Sequence, residues 1–373
     1  MNTETLKRTA LNQICRKYGG KMVDFHGWEL PIQFEGIIKE HNAVRTSAGI
    51  FDVSHMGQIF VSGKDAANFL DYVNSNDVKK LKKNQGCYSH LPNGRKGIVD
   101  DVINFCLDEN RYLVIVNATT TNKDYDWFRK NSKGFDVKIE NKSDEYSMIA
   151  LQGPKTIEII RRIEPNILKF GRFSIVESQF LKERIFVSRT GYTGEDGFEI
   201  TAPHKVIESI WEKLMELGKP YGLIPCGLGS RDSLRLESGY LLYGNDIDDE
   251  HTSYEANYGW VVKLYKEKFI GKEIYEKQKK EGLKIKLTGL ITETGIPREN
   301  CRVFKDGRLI GTLQSATYSP TLKKGIGVGY FDIVNLKPND ILEVEIRDKM
   351  VKAYVSVVPF YKGGAFSKVY IEN

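Results

Sequence analysis

The chain offers few of the residues that build covalent or metal-held frameworks. Its five cysteines stand singly at 15, 87, 106, 226 and 301. Odd in number and never spaced C-x-x-C, they suggest neither a disulfide framework nor a zinc site. The six histidines are as dispersed, and no metal is expected. No apolar run approaches the ~20 residues that span a bilayer. The opening MNTETLKRTA lacks both the apolar core of a signal peptide and an Arg-rich transit pattern. A cytoplasmic protein without a membrane partner is therefore the expectation. A net charge of +6 is mild for 55 basic and 49 acidic residues. The basic run Lys79, Lys80, Lys82, Lys83 is not interleaved with aromatics and reads as a solvated loop or helix end, so nucleic acid is not an expected partner. Internal repeats and low-complexity segments are missing as well.

What is present is an ordinary globular composition, 40% hydrophobic and 28% charged over 373 residues, enough for two or three domains. Helical patterns are read around Leu6 to Lys17, Gly36 to Ser47, Asp65 to Val73, after the threonines of ATTTNKDYDW, and from Val206 to Leu217. The last is an apolar stripe stopped by Gly218 and Pro220. Strands are predicted at Phe51 to Val61, Gly97 to Phe105, Tyr112 to Asn117, Val137 to Ile139 and Met148 to Leu151, in α/β layers. A charged helix is read from Lys266 to Lys284. Beyond it lie five or six short strands in about 80 residues, the pattern of a small barrel.

Three stretches carry possible chemistry. VSRTGYTGEDGFEI, Val187 to Ile200, places three glycines and three acids between two apolar runs, the signature of a Gly-rich hairpin. Its end brings Tyr192, Glu195, Asp196 and Glu199 together, either as solvated acids or as a site. GIVDDVIN sets Asp100 and Asp101 side by side in an apolar strand. Alternation sends one inward, where it must find partners, unless a turn or bulge exposes both. IPCGLGSRDSLRLE starts a helix with Arg231, which either holds a ligand carboxylate or pairs with Asp232 or Glu237. Asp52 and His55 in FDVSHMGQ lack a third partner and read as structural.

These stretches, together with KRTALNQICRKYGGKMVDFHGWELPIQF, LQGP, LYGNDID, GWVVKL, IGKE, GIPR and YSPTL, resemble in the expected order the aminomethyltransferase family, the T-proteins of the glycine cleavage system. The resemblance is nearly chain-long. It implies an α+β / α/β fold of two interleaved folate-binding domains and a small C-terminal β-barrel around a central channel. The folate module would span 6–265, with subdomains of roughly 1–50 with 140–235 and 51–139 with 236–280; the barrel would span 284–365. It implies transfer of the aminomethyl carbon from a lipoylated H-protein to tetrahydrofolate, with release of ammonia. Asp101 matches the essential aspartate. Met56, Tyr88, Asp101, Asn117, Tyr192, Glu199, Arg231 and Tyr240 match folate-binding positions, with Glu199 on the pterin donors and Arg231 on the glutamyl part. Another folate-dependent C1 transferase or demethylase with a small-molecule donor is the alternative, and a non-catalytic folate-binding or RNA-associated module a third. A related tRNA-modification factor carries Lys-Gly-Cys-Tyr-x-Gly-Gln-Glu, whereas here Gly86-Cys87-Tyr88 runs into Ser89-His90-Leu91. The chain departs from the family at Glu299-Asn300-Cys301 after GIPR and in its tail FYKGGAFSKVYIEN.

Overall fold

The computed structural model describes residues 6–364; residues 1–5 and 365–373, which include most of the C-terminal extension, lie outside the described residues. The N-terminal part has two large sheets and a small one of three strands, Lys7–Arg8, Trp28–Gln33 and Lys21–Phe25 in that order. The first has five antiparallel strands in the order Gly86–Pro92, Ile98–Asp108, Arg111–Val116, Gly57–Ser62 and Lys138–Asn141. The second runs Ile175–Phe180, Glu183–Ser188, Gly197–Pro203, Tyr146–Gln152, Ala48–Asp52 and Leu223–Pro225, antiparallel except for its last pair. Each large sheet buries apolar side chains against helices. Val206, Ile207, Ile210, Trp211 and Leu214 of the helix His204–Gly218 enter the core with Ile149, Ile185 and Ile200. That helix ends where Gly218 meets Leu223, whose side chain leaves no room for a Cβ.

The C-terminal strands close into a six-stranded barrel, in the order Lys286–Thr292, Lys324–Phe331, Arg308–Ser319, Arg302–Lys305, Ile341–Ile346 and Lys349–Ser356, with the last pairing to the first. Leu290, Val303, Leu313, Phe331, Leu342 and Val344 fill it. A polar clip fastens it to the helices Ile37–Thr46 and Leu228–Glu237. The fully buried Glu237 carboxylate accepts from Ser319 Oγ (2.5 Å), Thr321 Oγ1 (2.8 Å), Thr321 N (3.1 Å) and Arg45 Nη2 (2.9 Å), with His41 Nε2 at 3.3 Å.

Local chemistry overrode the sequence pattern in three places. Phe51 to Val61 is not one strand: Asp52 accepts the Ser54 amide, the chain turns over Val53 to Met56, and the flanking strands join different sheets. The first helix is only Asn12–Lys17, because Lys7–Arg8 pair in parallel with the strand Trp28–Gln33. The charged helix is only Lys272–Glu281, bounded by Gly271 and Gly282 at positive φ. Lys266 instead buries its ammonium on the carbonyls of Asp71, Asn74 and Asn76. No helix among the described residues is long and apolar enough to cross a membrane.

Candidate active site

The doubled acid lies in a strand, not an exposed turn. A bulge at Val99 shifts the register, so that Asp100 faces Leu91 while Ile98 faces Pro92. Asp100 is the acid that goes fully inside. It accepts from the Asn117 amide (3.1 Å), Asn117 Nδ2 (2.9 Å) and Thr120 Oγ1 (2.9 Å). Behind it sits Asp124, fully buried, with no hydrogen-bond donor on either carboxyl oxygen. Burial and then the Asp100 charge push Asp124 well above the carboxylate range, which favours its protonated form.

Asp101 is partly accessible yet surrounded by protein atoms. Asn117 Nδ2 reaches its Oδ1 at 2.8 Å, so one amide group ties the two acids together. Burial and then the Asp100 charge raise the Asp101 carboxyl to about 8, against the Tyr88 and Asn117 hydrogen bonds that pull it down.

The Gly-rich stretch forms the expected hairpin between Glu183–Ser188 and Gly197–Pro203. A Cβ at Gly191 would lie 1.9 Å from Oε1 of the buried Gln152, so a larger residue there would displace that side chain. The hairpin acids are not solvated. Glu195 binds Arg45 Nη1 (3.1 Å), Asp196 binds Arg189 Nε (3.1 Å), and Glu199 accepts from Thr190 Oγ1 (2.5 Å). Burial raises the Glu199 carboxyl, opposed by Thr190 and by the nearby Arg231 charge.

Arg231 finds neither of its expected partners. Asp232 is held by Arg235 Nε (2.9 Å) and Glu237 by Arg45. The Arg231 guanidinium instead lies over the Tyr192 ring, 4.7 Å from its centroid, with Nη1 buried and unpartnered. Tyr192 stacks on Tyr240 at 5.8 Å, and its hydroxyl donates to the Leu241 carbonyl. Tyr88 stacks on Trp260 at 5.8 Å and meets Tyr258 edge-on. Asp101 feels both Tyr88 and Tyr192 electrostatically, and Tyr192 also feels Arg231.

Seven of the eight residues singled out in the sequence thus form one connected cluster: Tyr88, Asp101, Asn117, Tyr192, Glu199, Arg231 and Tyr240. Met56 ends the 53–56 turn and packs against the core around Phe105 and Ile115, next to His55. Asp52 accepts from Thr9 and Ser54 and is structural. His55 is buried, its Nδ1 unpartnered, and burial followed by the Arg231 charge drives it down to about 3. Sequence reasoning missed Thr120, Asp124, Tyr258 and Trp260. An acid in the first turn of the helix Thr121–Asn131 gave no sign of burial, and GWVVKL no sign that its indole would reach Tyr88.

The GCVT N-terminal domain family matches residues 11–266, and the glycine cleavage T-protein C-terminal barrel domain matches residues 286–362. The chain is 45% identical over 367 residues to the aminomethyltransferase of Thermoanaerobacter pseudethanolicus, covering 96% of this chain and 98% of that protein. It is 44% identical over 361 residues to the aminomethyltransferase of Bacillus subtilis, covering 96% and 99%. The glycine cleavage system aminomethyltransferase T of Bartonella henselae has the same fold, with a TM-score of 0.91 and 32% identity over 97% of this chain and 100% of that one. With both domains matched and relatives 45% identical over nearly the whole chain, the chain belongs to the aminomethyltransferase family, the T-proteins of glycine cleavage.

Proposed function

We propose that this enzyme takes the aminomethyl group carried on the lipoyl arm of an H-protein and transfers its carbon to tetrahydrofolate. Ammonia is released, and methylenetetrahydrofolate and the dihydrolipoyl carrier remain. One observation supports the site most strongly: a half-buried carboxyl at Asp101 and a guanidinium nitrogen of Arg231 that has no hydrogen-bond partner both lie near the Tyr192 ring. Buried polar groups left short among aromatic rings suit a flat polar ligand that completes them.

In this reading Tyr88, Tyr192 and Tyr240 form the slot, and Glu199 accepts the ring donors. Arg231 donates to a carboxylate of the acceptor, and Asn117 holds Asp101 in place. Asp101, once ionised, faces the positive charge that develops as ammonia departs. Positioning and electrostatics then supply most of the acceleration, and no covalent enzyme intermediate is needed. We read the two large sheets as the two interleaved subdomains, 1–50 with 140–235 and 51–139 with 236–280, and the enzyme as cytoplasmic. The test is ammonia release from aminomethylated H-protein with and without tetrahydrofolate. Folate-dependent release supports the reading. Release only from a small-molecule donor points to the other C1 transferases.

A further inference from the structure

The rings of the proposed slot fall into two groups, and one histidine joins them. In the first group Tyr88 stacks on Trp260 at 5.8 Å. In the second Tyr240 stacks on Tyr192 at 5.8 Å, with the Arg231 guanidinium over the Tyr192 ring. His90 lies two residues beyond Tyr88 on the strand Gly86–Pro92, so the two side chains share one face. Its Nε2 is 3.0 Å from Tyr88 Oη, and its Nδ1 is 2.8 Å from Ser253 Oγ. The Tyr258 ring lies nearly parallel to the imidazole, 5.8 Å away, and meets Tyr88 edge-on. The Tyr258 hydroxyl donates to the Gly239 carbonyl at 2.9 Å, one residue before Tyr240. An unbroken line of contacts therefore runs from Tyr88 through His90 and Tyr258 to the segment that carries Tyr240.

His90 is fully buried. An imidazole there carries a desolvation cost that an aliphatic side chain avoids, and the cost is offset because both of its nitrogens have partners. A buried polar group satisfied in this way specifies one arrangement of its neighbours. Here it specifies where Tyr88 points. A tyrosine hydroxyl lies on the axis about which its ring flips, so a bond at Tyr88 Oη fixes the direction of the side chain, while the stack on Trp260 fixes the plane of the ring. Neither effect depends on which partner carries the proton.

We propose that His90 is a positioning residue for acceptor binding: it holds the Tyr88 ring at a fixed place relative to Tyr192 and Tyr240, and so sets the affinity for a flat polar ligand rather than the rate of transfer. The proposal rests on the reading that these rings form the slot for tetrahydrofolate. His90 itself is no ligand contact, since both of its nitrogens are engaged within the protein.

Two measurements on the full-length protein test this. His90→Phe keeps a ring against Tyr258 and removes both hydrogen bonds. In the free protein, the aromatic NMR signals of Tyr88, assigned by their loss in Tyr88→Phe, should shift and broaden in His90→Phe. In calorimetry, tetrahydrofolate should bind that variant about fivefold more weakly, the worth of one hydrogen bond that orders a binding group. With aminomethylated H-protein, KM for tetrahydrofolate should rise by the same factor while kcat stays within about twofold of wild type. His90→Gln, whose amide meets Tyr88 Oη as donor or acceptor, should restore most of the affinity. In a Tyr88→Phe background, which already lacks the bond, His90→Phe should cost little more. Should His90→Phe fail to fold, Tyr258→Leu at a half-buried position removes the stack beside the imidazole and should weaken binding in the same direction. Unmoved Tyr88 signals in His90→Phe, wild-type affinity in folded His90→Phe or Tyr258→Leu, or a loss of kcat with unchanged KM overturns the proposal. Tyr88→Ala separates its failure from that of the slot. Wild-type affinity in Tyr88→Ala removes the slot reading and the proposal with it, whereas weak binding by Tyr88→Ala beside normal binding by His90→Phe removes the positioning role alone.

Discussion

Buried charge is treated in opposite ways at two places on the helix Leu228–Glu237. At its C-terminal end, in the clip to the barrel, each Glu237 oxygen accepts at least two hydrogen bonds from the protein itself. Two residues before that, Arg235 is equally saturated by Asp232, Asp246, the Tyr240 carbonyl and Ser315. One further turn back, Arg231 has a buried nitrogen with nothing to donate to. A buried donor left short costs about 1–3 kcal/mol, a burden a fold carries where an outside molecule relieves it. The comparison teaches that saturation, not burial, separates the charges that hold the domains together from those kept for a ligand.

Breaking the saturated end should have the largest effect. Glu237→Gln leaves Arg45 buried without its full counter-charge and should lose about 3–5 kcal/mol of stability in urea unfolding. The pH dependence has a defined sign. Burial works against the Glu237 charge, but His41, Ser319 and Arg45 outweigh it and hold the carboxyl at about 2, below its ordinary 4.5. Its stabilisation is therefore complete above about 4.5 and disappears as pH falls toward 2. Glu237→Gln should flatten that part of the stability profile; an unchanged profile would make the clip ornamental.

At the unsaturated end, Glu199→Ala should weaken tetrahydrofolate binding by about 1–3 kcal/mol in calorimetry, because ring donors lose their acceptor. Binding unchanged within error would remove Glu199 from the site. Arg231→Lys sharpens the contrast further. An ammonium does not reproduce a planar two-point contact, so affinity at low salt should fall by about tenfold, while the melting temperature stays near wild type because Nη1 holds nothing in the free chain. A large loss of stability with intact affinity would place Arg231 among the structural charges. The mildest effect is on pH. With Asp101 held up at about 8, kcat/KM should rise with pH and level off above that value. A flat profile between pH 7 and 9 would mean that Asp101 does not act as the ionised base.

Much of this was legible in the sequence wherever a periodic pattern met a clear stop. The hairpin, the helix ended by Gly218 and the six barrel strands follow from alternation, apolar stripes and turn residues. The break at Asp52 to Met56 was hidden because Asp52 and Ser54 turn the chain within an otherwise strand-like run. Alternation put Asp100 and Asp101 on opposite faces unless a turn or bulge exposed both, and which one goes inside depends on the Val99 bulge and on Asn117 and Thr120. Arg231 was recognisable as a candidate, but its freedom depends on Arg45 and Arg235 having taken its two expected partners. Such partner assignments are long-range facts that no local pattern encodes.

The account stands most directly on the two neighbouring acids, compared in folded protein with aminomethylated H-protein and tetrahydrofolate. Asp101→Asn keeps the shape and removes the charge, so it should melt near the wild-type temperature and lose about 100-fold or more in turnover. Asp100→Asn, which disturbs the Asn117 and Thr120 contacts, should show itself first as lost stability. A well-folded Asp101→Asn that keeps more than about a tenth of wild-type turnover, or an Asp100→Asn that melts normally and is the less active of the two, would contradict the assignment.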